Sequence, residues 1–107
     1  MTTEIETLAA RLKQFADARD WDKFHTPKNL AIALSVEVSE LAEIFQWLTP
    51  EESAGVMKSV KNADAVRDEL ADVMIYLTRI ASILGVDLIK EANAKIERNE
   101  VRFPPTQ

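Results

Sequence analysis

A chain of 107 residues that is 47% hydrophobic and 29% charged, with only two glycines, reads as one helical globular domain spanning residues 1–107. Its net charge of −5 excludes a broadly basic surface for a nucleic-acid polymer, though not a local basic pocket for a small phosphate ligand. Cysteine is absent, which removes disulfides and thiol chemistry; no signal-peptide pattern opens the chain, and Arg79 interrupts the best candidate for a membrane span, so a soluble cytoplasmic protein is expected.

In chain order, Thr3 with Glu6 three residues later forms a capping-box signature. It opens an amphipathic helix through Ile5, Leu8, Leu12 and Phe15 to about Arg19. DWDKFHTPKN follows as an aromatic-rich loop in which Trp21 and Phe24 are expected to close the end of the core and His25 to be exposed. Thr26 and Pro27 supply the N-cap and first residue of a second helix, running to Leu48. Thr49-Pro50-Glu51-Glu52 repeats these signals for a short segment ending near Val60. The longest periodic run covers 65–84, after Lys61, Asn62 and Asp64, and ends at Gly85 as a C-terminal cap. It is apolar nearly all round, so it is expected to be central or to pack against another subunit. Asp87 caps a last helix through Leu88, Ala92, Ile96 and Asn99, and Pro104 with Pro105 marks an extended tail.

Two of these helices carry acids where apolar residues belong. Leu30, Ala33, Glu37, Glu40, Ile44 and Trp47 recur at steps of three and four, on one strip of the second helix. Ala65, Glu69, Asp72, Tyr76 and Ile83 do the same on the long helix. Buried ion pairs with lysine or arginine account for one such acid more readily than for four. Crowded carboxylates raise one another's pKa and destabilise a fold unless a cation sits among them. An all-oxygen set suits Mg²⁺, with Mn²⁺ as the alternative, rather than zinc or copper. A di-iron bundle needs Glu-x-x-His pairs, and the sole histidine lies in a loop.

A carboxylate-held Mg²⁺ commonly handles phosphates. Trp21, Trp47 and Tyr76 offer stacking surfaces for a base, and Lys95 and Arg102 offer cations for a phosphate tail, which together point to a nucleotide. The rival reading is a non-catalytic helical interaction module whose acids pair with a partner's basic residues. Such a scaffold has no need of two tryptophans, a tyrosine and a terminal basic set around the same acids.

Glu37-x-x-Glu40, then Glu69-x-x-Asp72, then Lys95-x-x-x-Asn99-x-x-Arg102-Phe103-Pro104 resembles the all-α nucleoside triphosphate pyrophosphohydrolases of the MazG type. RDWDKFHTPKNL, EVSELAEIFQW and DELADVMIYL resemble the dCTP pyrophosphatase branch, in order and over nearly the whole chain. The resemblance implies a helical bundle of four to five helices, assembled as a dimer or dimer of dimers. It implies cleavage of a nucleoside triphosphate to the monophosphate and pyrophosphate, with Mg²⁺ bound by Glu37, Glu40, Glu69 and Asp72. Base contacts are carried onto Trp21, His25, Trp47 and Tyr76, and phosphate contacts onto Lys95, Asn99 and Arg102. Glu40 is the nominated water-activating group for in-line attack on the α-phosphorus. The branch has a histidine on its first helix where this chain has Leu12, a departure that bears on base preference.

Overall fold

The computed structural model describes residues 3–106; Met1, Thr2 and Gln107, the last residue of the expected tail, lie outside them. Five α-helices follow one another with no strand among the described residues: α1 Glu4–Ala18, α2 Pro27–Phe45, α3 Pro50–Ala54, α4 Val60–Leu84 and α5 Leu88–Arg102. Single 3-10 turns occupy Asp22–Phe24 and Val56–Lys58.

The caps form as their residue types require. Thr3 Oγ1 accepts from the Glu6 amide at 3.0 Å while the Glu6 carboxylate accepts from the Thr3 amide at 3.2 Å. Thr49 and Glu52 repeat this reciprocal pair at 3.1 and 2.9 Å, and Thr26 accepts from Asn29 at 3.2 Å with Pro27 in the first turn. Gly85 ends α4 at φ 69°, the left-handed geometry that a residue without Cβ adopts freely.

Two boundaries differ from the sequence expectation. α2 stops at Phe45 rather than Leu48, because Thr49 must be extended before Pro50 and the chain has already tightened, the Leu48 amide bonding to Phe45 O at 2.9 Å. Trp47 is therefore not on the helix but in the following turn, where it is 86% exposed. α4 begins at Val60 rather than at 65, capped by Ser59, so Lys61, Asn62 and Asp64 belong to its first turns; their polarity hides the periodicity there.

α4 is the central element, pairing along its length with α2 and, less extensively, with α1. The buried apolar set is small: Ala16, Leu30, Val56, Ala63, Val66 and Ala81. α5 has no extended packing against any other helix, and Ile89, Ile96, Val101 and Phe103 remain exposed on it or just beyond. The α4 residues Leu70, Met74, Leu77, Ile83 and Leu84 are likewise still open. No described helix is long and apolar enough to cross a membrane.

Candidate functional site

The α2–α4 pairing brings the acids of the two helices face to face. Glu37 and Glu40 from α2 and Glu69 from α4 each offer a carboxylate oxygen, and these oxygens lie within 4.8 Å of one another. Asp72, half-buried one turn along α4 from Glu69, stands outside that tight trio, but its charge acts on both Glu37 and Glu69. Oε2 of Glu37 and Oε2 of Glu69 are closed to water and have no hydrogen-bond partner. Among the described residues no ion pair involves any of the four acids, which removes the ion-pair reading for a single chain.

Charge crowding raises the pKa of both members of the pair. The Glu37 pKa is pushed up to about 7, first by the neighbouring Glu69 carboxyl, then by partial burial and by Glu40 and Asp72. Glu69 is also raised: its contact with Glu37 pulls it down, but burial together with Glu40 and Asp72 outweighs that. Two unpartnered, water-excluded carboxylate oxygens in an all-oxygen set are the donors that a hard divalent cation takes.

Beside the trio, Glu69, Asp72, Tyr76 and Arg79 follow one another at steps of three and four on a single strip of α4. The upper part of this strip faces a cavity of about 360 Å³ walled by α1, α4 and the loop between α1 and α2. Trp21, His25 and Tyr76 all line it, together with Leu12 and Phe15. Trp21 meets the Phe15 ring edge-on at 5.6 Å, and the Trp21 and His25 rings are 6.3 Å apart. His25 is half-buried rather than exposed, and Phe24, at 58% exposure, does not close the core. From Glu69 to Tyr76 is about 10 Å along the helix axis, so one helix carries both the acids and the aromatic cavity.

The sequence pattern of the MazG-like family matches residues 32–106, which contain all four acids and α5. This chain belongs to the MazG-like family. It is 44% identical over 100 residues to dCTP pyrophosphatase 1 of Homo sapiens and 43% identical to that of Bos taurus, in each case covering 94% of this chain and 59% of the relative. The chain thus spans less than two thirds of the length of these curated relatives. Its structure superimposes on a pyrophosphatase from Archaeoglobus fulgidus with a TM-score of 0.89 at 39% identity, covering 98% of this chain and 96% of the other.

Not every residue expected at the site of this MazG-like chain lies near the acids or the cavity. Trp47 projects from the α2–α3 turn and does not line the cavity. Lys95 and Arg102 are exposed and Asn99 half-buried on α5, which does not pack along α2 or α4. Conversely, the sequence reading passed over two residues. Arg79 stood out only as a charge interrupting an apolar run, although its place on the Glu69–Asp72–Tyr76 strip was readable; Asp22 carried no signal beyond lying in an aromatic loop.

Proposed function

We propose that this MazG-like chain hydrolyses a nucleoside triphosphate, with dCTP or modified dCTP favoured, to the monophosphate and pyrophosphate, and so clears such nucleotides from the cytoplasmic pool. The observation that carries this reading is the pair of water-excluded, unpartnered oxygens of Glu37 and Glu69 beside an aromatic cavity on the same helix. Likeness to proteins named dCTP pyrophosphatase 1 supports the substrate class.

Glu37, Glu40, Glu69 and Asp72 would hold Mg²⁺, which when bound neutralises phosphate oxygens and lowers the pKa of coordinated water. The base lies in the cavity, stacked by Trp21 and Tyr76, and Glu40 orients the attacking water and accepts its proton as it meets the α-phosphorus in line with the pyrophosphate leaving group.

A homodimer or dimer of dimers completes the site. The Cα radius of gyration is 16.9 Å, against about 13 Å for a compact domain of this length, and the open apolar faces of α4 and α5 are where a second copy packs. In that assembly Lys95, Asn99 and Arg102 reach the phosphates from the α5 helix of a second copy.

Incubation with a panel of dNTPs and Mg²⁺, with the products identified by chromatography, tests the reading. Mononucleotide with pyrophosphate is expected, and fastest from dCTP; nucleoside diphosphate with phosphate, or no turnover, refutes it.

A further inference from the structure

Arg79 is the one member of the α4 strip that the proposed chemistry leaves unused. Its side chain is only 5% exposed, and a guanidinium at that depth requires acceptors. Both come from the loop between α1 and α2: Arg79 Nε donates to His25 Nδ1 at 3.1 Å, and Arg79 Nη2 donates to Asp22 Oδ1 at 3.2 Å. Arginine has five N–H donors and no acceptor, so the imidazole nitrogen facing it presents a lone pair. A neutral imidazole then carries its single proton on Nε2. Burial, and after it the Arg79 charge, lower the His25 pKa below the usual histidine value and so favour the neutral ring; Asp22 opposes them.

The other ionisable groups around this cavity are Arg11 from α1 and Tyr76 from α4. Neither they nor any other side chain lining the cavity is a carboxylate or an amide. The walls therefore offer the Trp21 indole N–H, the guanidinium groups and His25 as donors, with only the Tyr76 hydroxyl as a side-chain oxygen acceptor. Leu12, on the α1 wall, adds no polar atom.

We propose that Arg79 is a positioning residue that locks His25 in its Nε2–H tautomer, so that His25 donates a hydrogen bond to an acceptor, a carbonyl oxygen or an unprotonated ring nitrogen, on a pyrimidine base. This rests on the cavity being the base site of the proposed reaction. It also bears on selectivity among pyrimidines: O2 is common to all of them, whereas the Tyr76 hydroxyl is the one side-chain oxygen of the lining that can accept from the amino group of cytosine. The preference for cytosine among pyrimidines is thus shallow.

The chain has one histidine, so a long-range ¹H–¹⁵N spectrum reports a single imidazole. In the nucleotide-free wild type, Nδ1 is expected to be unprotonated and the ring to titrate below the ordinary histidine value. Arg79→Leu raises that titration toward about 6.5. The same substitution raises KM for dCTP and dUTP by about three- to ten-fold, the loss of one aligned neutral hydrogen bond, while leaving kcat little changed. Arg79→Gln, which keeps an N–H donor without the charge, recovers most of that KM. A wild-type spectrum with Nδ1 protonated overturns the lock, and needs no variant to fold. So does an Arg79→Leu enzyme whose titration and KM are those of wild type. Absence of turnover on any dNTP instead defeats the catalytic reading of the site, a separate result from the spectrum.

Discussion

Ionising Glu37 sets a second negative charge against Glu69 at an oxygen that water does not reach, and the protein has two ways to relieve it: a proton or a cation. Because the Glu37 pKa is raised from 4.5 to about 7 by Glu69, burial, Glu40 and Asp72, the folded chain holds this proton more tightly than the unfolded chain does. The sign follows: the contribution to stability is fully present below about pH 4.5 and is lost as pH rises to about 7. Melting of metal-free protein between those limits should show a falling Tm that is shallower in Glu37→Gln. Added Mg²⁺ should restore Tm most at the alkaline end, since binding displaces the proton. A slope identical in the variant would remove Glu37 from the couple. Glu37→Gln, Glu40→Gln, Glu69→Gln and Asp72→Asn should each abolish turnover while circular dichroism keeps its helical signal; near-normal rates in two of them would sink the four-carboxylate site. Thr78 gives an independent check on packing at this scale. Its hydroxyl is buried and unpartnered, so Thr78→Val should raise stability by about 1 kcal/mol in urea unfolding.

At the scale of the elements, the helices were legible wherever a cap or a breaker spelled out an end. Thr3, Thr26, Thr49 and Asp87 each act as N-caps, and Gly85 closes α4. Gly85→Ala should cost about 1 kcal/mol, from backbone strain alone, because a Cβ there meets nothing within 4 Å. Thr49→Ala should cost about the same through loss of the reciprocal bond with Glu52; no change in denaturant midpoint would mean that α3 contributes nothing to the cooperative unit. What was not legible was the register at polar ends. The first turns of α4 carry too few apolar residues to show a period, and a strip counted through Glu40 and Ile44 runs on to Trp47 although Pro50 forces the chain out of helix first. The acids were readable because charge interrupting an apolar strip is conspicuous. Arg79 interrupts its own run in the same way, yet the partners that give it meaning lie 54 and 57 residues away, and no local pattern records such a pairing.

Over the whole molecule, the small buried set and the open apolar residues of α4 and α5 support the proposal that a second copy of the chain finishes the core. Sizing with light scattering should give a dimer or tetramer at micromolar protein, and a stable monomer would contradict this. The all-round apolarity of α4 led to the expectation of a helix that is central or packed against another subunit, but which faces stay open depends on how α5 leaves the bundle after the Gly85 turn rather than on any periodicity. The proposed reaction makes one specific demand, that water attacks the α-phosphorus and pyrophosphate departs. Hydrolysis of dCTP in ¹⁸O-labelled water with Mg²⁺, followed by mass spectrometry of both products, reads this directly. The label should appear in dCMP, with unlabelled pyrophosphate; label in pyrophosphate, or release of dCDP with inorganic phosphate, would contradict it.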